Sequence, residues 1–331
     1  MKAAVIGAGS WGTALAQVLA TAGHDVSLWA RKQEVCDGVN LRHANPRYLT
    51  EARLSGRIRA TTSHAEACEG AAAVVVVTPS AVMRQTAQAI ADYTGSDTPI
   101  VICSKGVEEG SGLLPVEVFE AELGGAERLA ALSGPNHAEE VVYGMPSGTV
   151  IASRSELNAR FFQEMFATDA FRTYISEDVC GVEVCAAYKN VIAIAVGASY
   201  GLGMGDNTAA LLMTRGLAEM SRLVAAVGGL PMTCMGLAGM GDLTVTCMSE
   251  HSRNRTFGFR LAQGTTLDQY RAETHMVVEG ALACRTLRTL AAMYRVELPI
   301  CDMVHSIVWE GVDPRTVASA LLGRSLKPEF Y

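Results

Sequence analysis

Between residues 2 and 135 the chain repeats one pattern: a short apolar run, an abrupt stop, then in most intervals a stretch of helical spacing. The runs are KAAVIGAG (2–9), DVSLWA (25–30), AAVVVVTP (72–79), PIVICSKG (99–106) and RLAALSGP (128–135), rich in Val, Ile and Ala and ended by Gly, Pro or Ser. Such runs read as buried strands. WGTALAQVLATAG, SAVMRQTAQAIADY and LLPVEVFEAELGG between them read as helices. Strand and helix in alternation predict a parallel sheet covered by helices on both faces. From about residue 180 the strand runs stop, and VCGVEVCAAYKNVIAIAVGASYG, NTAALLMTRGLAEMSRLVAAVGG, RTLRTLAAMYRV and CDMVHSIVWEG are all helical in pattern. Two domains are expected, 1–180 and 181–331, the second all-helical.

Composition narrows the function classes. A net charge of −7 excludes the broad basic surface that sequence-independent nucleic-acid binding needs, though a local pocket can still be basic. Nine cysteines lie without a CxxC pair or Cys/His zinc spacing, which predicts reduced, mostly buried thiols, a cytoplasmic protein and no metal site. MKAAVIGAG is too short and glycine-interrupted for a signal peptide. The longest apolar run, VIAIAVGASYGLGMG, falls short of the roughly 20 residues of a membrane span.

VIGAGSWG places Gly7, Gly9 and Gly12 in G-x-G-x-x-G spacing, after a strand and before a helix. That context permits a tight turn, close approach of backbone to a pyrophosphate, and a helix starting near Ser10 and Trp11 that offers free N–H groups to it. The fold expected is therefore α/β, with an N-terminal Rossmann-like doubly wound sheet. An NAD-preferring site usually carries an Asp or Glu at the tip of the second strand. Here DVSLWA runs into Arg31 and Lys32 instead, which leans toward NADP, with NAD still open.

Lys189 lies in VEVCAAYKNVIAIAVG, where the residues three, four and seven positions away carry no charge. A lysine on the core-facing stripe of a helix is desolvated, so its pKa falls and it can exchange a proton near neutral pH. Hydride removal from a secondary alcohol needs such a base, and Lys189 is the first choice for the catalytic residue. Asn190 follows it with an amide able to orient a substrate oxygen. Lys105, in VICSKG, and Gly134, Asn136 and Ala138, in LSGPNHAEE, stand at carboxyl ends of strands, where open α/β sheets bind ligands. His137 has no partner ligand at metal spacing. GLAGMGDLTVTCMSEHSRNRTFG then joins a glycine loop, the carboxylate Asp242 and the cluster Ser252, Arg253, Asn254 and Arg255. Guanidinium, hydroxyl and amide together suit a phosphate monoester.

In order, GAGSWGTALA, VICSKG, SGPNHAEEV, AAYKN, GLAGMGDLTVTC, SRNRTFG and VVEG (277–280) closely resemble the bacterial-type NAD(P)-dependent glycerol-3-phosphate dehydrogenases over essentially the whole chain. The resemblance implies a second domain of the 6-phosphogluconate dehydrogenase C-terminal type. It implies that Ser10, Trp11, Arg31, Tyr48, Lys105, Ala138, Arg253, Val277 and Glu279 contact the cofactor beside the glycine loop. It also implies that Lys105, Gly134, Asn136, Lys189, Asp242, Ser252, Arg253 and Asn254 surround sn-glycerol 3-phosphate, with Lys189 as proton acceptor. The implied reaction interconverts glycerol 3-phosphate and dihydroxyacetone phosphate, mainly toward the former, for phospholipid synthesis. Two positions depart from the family pattern: Tyr188 where leucine is common, and Asn136 where serine or threonine is. A helical second domain of this size often buries a dimer face, which adds the expectation of a homodimer. The alternatives are another two-domain dehydrogenase, acting on a hydroxy acid or a sugar acid phosphate, and a non-catalytic NADP-binding sensor.

Overall fold

Apolar strands covered on both faces account for the centre of the molecule. A computed structural model describes residues 1–274, 277–322 and 328–329. One eight-stranded sheet is built from β1 (Lys2–Ile6), β2 (Asp25–Trp29), β3 (Ile58–Thr61), β4 (Ala73–Val76), β5 (Ile100–Ile102), β6 (Leu129–Ser133), β7 (Ser147–Ser153) and β8 (Phe171–Ser176). Their order is β3-β2-β1-β4-β5-β6-β7-β8. The first six are parallel, with Val5 of β1 in register with Leu28 on one side and Val75 on the other. The strand order reverses between β1 and β4. Parallel alignment brings the carboxyl ends of β1, β4, β5 and β6 to one edge, the usual ligand edge of such sheets.

The sheet is larger and less uniform than the sequence pattern implies. β7 runs antiparallel to β6, and β8 runs parallel to β7, so the sheet is mixed. β3, β7 and β8 carry none of the long apolar runs. β3 and the start of β8 alternate buried with exposed residues. β7 buries Thr149 and Ser153 by letting their hydroxyls donate to the carbonyls of Ser133 and Leu129 on β6, at 2.9 and 2.7 Å.

Beyond β8 the described elements are helical. The Val179–Gly201 helix runs through the core, starting at Asp178, whose carboxylate accepts from the Gly181 N–H at 2.9 Å. It reaches back well past the apolar run noted above, to 23 residues with mean hydropathy 1.6 over its most apolar window. By length and composition it is able to cross a membrane, contrary to the expectation from the shorter run; 94% of that window is buried inside this fold. Asp206–Ala226, Glu279–Tyr294 and Pro299–Trp309 pack around it as expected helices, and Arg253–Ala262 is one the pattern did not predict. The Arg253–Ala262 helix meets the core helix backbone to backbone. A Cβ on Gly197 would lie 2.0 Å from the Arg255 carbonyl oxygen, and one on Gly258 would lie 2.1 Å from that of Ile194. Only hydrogen fits at either place. Gly280 approaches the Asn190 carbonyl in the same way, its Cβ position 2.5 Å away.

Candidate active site

At the end of β1 the chain turns through Gly7, whose φ of 122° is costly for any residue with a side chain. Gly12 packs on that turn so closely that a Cβ would sit 1.8 Å from the Gly7 carbonyl oxygen. Gly9 differs: it precedes the Ser10–Thr21 helix, and a Cβ there would meet nothing within 4 Å. The loop therefore leaves a free backbone face beside a helix N-terminus, the cradle a pyrophosphate requires. Trp11 borders it with a buried indole N–H that has no hydrogen-bond partner among the described residues. The whole turn is braced by Asn45, fully buried, whose amide donates to the Ala8 carbonyl at 3.0 Å and to Thr13 Oγ1 at 2.9 Å. Its own oxygen accepts from the N–H groups of Arg47 and Tyr48. No periodicity marks Asn45; only its place in the short NPRY stretch hints at a turn. Arg31 is exposed and has no ion pair among the described residues, and Tyr48 is 42% exposed. These groups fit a dinucleotide without a carboxylate at the β2 tip.

The proton-handling groups converge on one aspartate. Asp242 opens the Asp242–Met248 helix and is only 1% exposed. Its Oδ1 accepts from Lys189 Nζ of the core helix, and its Oδ2 accepts from Lys105 Nζ, beyond β5, at 2.8 Å. Ser133 Oγ lies 3.4 Å from the same Oδ2. Thr246, one turn along from Asp242, donates its hydroxyl to the Asp242 carbonyl at 2.6 Å. That leaves its lone pairs to accept from Lys189 Nζ at 2.9 Å. Burial pushes the Lys189 ammonium down to about 8; the Asp242 charge opposes this, and the Lys105 charge adds to it. For Lys105 burial acts in the same sense, but Asp242 and Glu279 outweigh it and hold that ammonium above its ordinary value. Burial also works against ionising Asp242, and the two lysines overcome it, so the carboxyl stays below the usual range. One carboxylate cannot fully neutralise two ammoniums, and the more deeply placed Lys189 is the one whose hold on its proton is weakened.

The Ser-Arg-Asn-Arg cluster separates into four roles. Ser252 caps the Arg253–Ala262 helix, its hydroxyl oxygen accepting from the Arg255 N–H at 3.2 Å. The N–H groups of Arg253 and Asn254, in the first turn, have no intrahelical acceptor. Arg253 is exposed, with no hydrogen bond or ion pair from its side chain among the described residues. Asn254 is a clamp: its amide donates to Asn190 Oδ1 at 2.9 Å, and its oxygen accepts from the Gly280 N–H at 2.9 Å. Asn190 is thereby engaged with Asn254, while its own amide lies 3.4 Å from Glu279. Arg255 turns away and lies over the Tyr200 ring, 5.3 Å from its centroid.

At the end of β6, a Cβ on Gly134 would come within 2.8 Å of the Gly148 carbonyl, so this loop lies tight against β7. Asn136 donates to that carbonyl at 3.0 Å, and its buried Oδ1 has no partner among the described residues. Ala138 opens the Ala138–Val141 helix. Val277 is 51% exposed, and Glu279 begins the Glu279–Tyr294 helix within electrostatic reach of Lys105. Tyr188 is fully buried, its hydroxyl donating to Glu219 at 2.5 Å, and burial raises that carboxyl to about 7.

A doubly wound sheet with a glycine cradle on the edge that also carries Lys105, and a helical part that adds a buried lysine, define a two-domain nucleotide-dependent dehydrogenase. The sequence patterns described as NAD-dependent glycerol-3-phosphate dehydrogenase N-terminus and C-terminus match residues 2–159 and 178–319. A glycerol-3-phosphate dehydrogenase [NAD(P)+] of Parafrankia sp. is 45% identical over 330 residues, covering 99% of both chains. That of Shouchella clausii is 42% identical, covering 99% of this chain and 97% of the relative. The crystal structure of glycerol-3-phosphate dehydrogenase from Coxiella burnetii superposes with a TM-score of 0.93 at 36% identity, covering 98% of this chain and 99% of the other. The chain belongs to the NAD-dependent glycerol-3-phosphate dehydrogenase family and is an oxidoreductase.

Proposed function

We propose that the chain catalyses reversible hydride transfer between NAD(P)H and dihydroxyacetone phosphate, giving sn-glycerol 3-phosphate for phospholipid synthesis. The observation that carries this reading is the Lys189–Asp242–Lys105 cluster, a buried ammonium poised near neutrality with its counter-ion shared. The nicotinamide cofactor, when bound, supplies or accepts the hydride. Gly7, Gly9, Ser10, Trp11, Gly12, Arg31, Tyr48, Ala138, Val277 and Glu279 hold it, with Lys105 and Arg253 reaching both ligands. In the reductive direction Lys189 delivers a proton to the oxygen of the former carbonyl, and in oxidation it takes the hydroxyl proton. Asp242 and Thr246 aim its Nζ, and Lys105 both favours its deprotonation and adds positive charge where oxyanion character grows. Arg253 and the free N–H groups at the start of its helix receive the phosphate, and the unpaired Asn136 Oδ1 accepts from a substrate hydroxyl.

Exposed and without an ion pair among the described residues, Arg31 supports a preference for NADP through its 2′-phosphate. Nine free thiols, eight of them buried, support a reducing, cytoplasmic setting. The reading divides the chain near residue 180 into a nucleotide domain and a catalytic domain, and includes a homodimer. Exposed Leu230, Met232 and Met235 offer apolar surface for the second copy. Absorbance at 340 nm, followed with dihydroxyacetone phosphate and NADPH or NADH, tests the reaction. Folded protein that binds NADPH yet oxidises neither cofactor would exclude this substrate and favour another dehydrogenase or a sensor.

A further inference from the structure

The rings of His137 and His251 meet edge to face, with centroids 5.9 Å apart and planes at 64°. They join two loops that otherwise approach the site separately. His137 sits between Asn136 and Ala138 beyond β6, and His251 immediately precedes Ser252, the cap of the Arg253–Ala262 helix. His137 is part-buried; its Nε2 lies 3.5 Å from the carbonyl of Val245, on the helix that begins with Asp242. A carbonyl can only accept, so this contact favours the tautomer with its hydrogen on Nε2, which leaves Nδ1 as an acceptor without a partner among the described residues. The charged groups facing His137 are Lys189 from the core helix, Asp242 from the helix carrying Val245, and Glu139 from its own helix, with His251 across the gap. Burial first, and then the Lys189 charge, hold its pKa below the ordinary value, so the ring is neutral near pH 7 in the free protein. No ion pair among the described residues fixes either imidazole, so both remain able to answer a charge brought in by a ligand.

We propose that His137 and His251 form a paired-imidazole subsite that recognises the phosphoryl dianion of the substrate and takes up a proton as that anion binds. This rests on the reading of the site as one for a phosphorylated alcohol. A dianion placed beside two imidazoles raises their affinity for a proton, and the protonated ring becomes a donor in addition to Arg253. Nothing in this step touches the reacting carbon, so the pair discriminates in binding and leaves proton transfer to Lys189.

The test measures KM and kcat for dihydroxyacetone phosphate with NADPH from pH 6 to 8.5, for the wild type, His137→Gln, His251→Gln and the double variant. A lost charge-assisted hydrogen bond should raise the double variant's KM about tenfold at pH 6.5, and the difference should shrink at pH 8.5, where proton uptake by the wild-type pair is less favourable. Comparison with the wild type at each pH cancels the titration of the substrate phosphate itself. The inflection of kcat should stay where Lys189 puts it. Calorimetric titration of glycerol 3-phosphate at pH 7, in buffers of different ionisation enthalpy, should show less proton uptake by the variants than by the wild type. A KM ratio that is the same at both pH values, or equal proton uptake, would overturn the subsite. His251→Gln at an exposed position keeps the test open should His137→Gln fail to fold. Absence of wild-type turnover would instead refute the substrate assignment, an outcome distinct from active enzyme whose variants match it.

Discussion

Residues Gly7 to Thr13 make the proposed nucleotide cradle within one turn of chain, almost entirely from backbone. Lys105, Ser133, Lys189, Asp242 and Thr246 make the proton-handling cluster from side chains brought together across 137 residues of separation between Lys105 and Asp242. In the cradle Gly7 and Gly12 are dictated by backbone geometry that a local motif can record. In the cluster the essential property, one carboxylate serving two ammoniums, exists only once distant elements have packed. The first region is therefore sensitive to added atoms, the second to a removed charge.

The largest effect should come from the cluster. Lys189→Ala is expected to lower kcat about 10²–10⁴-fold while the NADPH dissociation constant, read by fluorescence titration, stays within about twofold. A parallel loss of cofactor affinity would show that the two regions are not independent. In the wild type, oxidation of glycerol 3-phosphate needs the deprotonated lysine, so kcat/KM should rise with pH and level off above about 8, and reduction should fall above the same value.

The cradle can be sharpened by two alanines. Gly12→Ala forces a Cβ against the Gly7 carbonyl and should cost about 1–3 kcal/mol of stability, seen in denaturant unfolding. Gly9→Ala meets no protein atom, so unfolding should be unchanged while NADPH binding weakens about tenfold. Equal effects at both positions would erase the distinction between packing and ligand approach. Next, Arg31→Ser should reduce the NADPH-over-NADH ratio of kcat/KM by up to about tenfold, and an unchanged ratio would remove Arg31 from cofactor choice. The smallest change is expected from Arg255→Leu. It loses the contact with Tyr200 and about 0.5–1 kcal/mol of stability, with KM for dihydroxyacetone phosphate unaltered. A raised KM there would return Arg255 to the anion site.

What the sequence made legible follows the same division. β1, β4, β5 and β6 stood out because they are buried on both faces, which leaves long apolar runs, and β2, though it alternates, ends abruptly at Arg31. β3 and β8 alternate, and β7 satisfies its buried hydroxyls on β6, so none of the three presents such a run. Lys189 was legible because an uncharged stripe on one helix is a local pattern. That Ser252 caps, Asn254 clamps Asn190 to Gly280, and Arg255 stacks on Tyr200 was not, since each depends on where the chain ends up. Asn45 escaped notice for the same reason: its amide braces a loop more than 30 residues earlier in the chain.

The glycine contacts between the core helix and the Arg253–Ala262 helix carry a consequence for which substrates fit. On the proposed reading, one helix bears the proton donor and the other presents its N-terminus to the anion. Main chain touches main chain at Gly197 and Gly258, so neither helix can slide toward the other. The gap from Lys189 to that N-terminus is a fixed gauge of chain length, set by the absence of two methyl groups rather than by any side chain that could adapt. Phosphorylated alcohols with one carbon more or fewer between hydroxyl and phosphate meet a ruler that does not stretch.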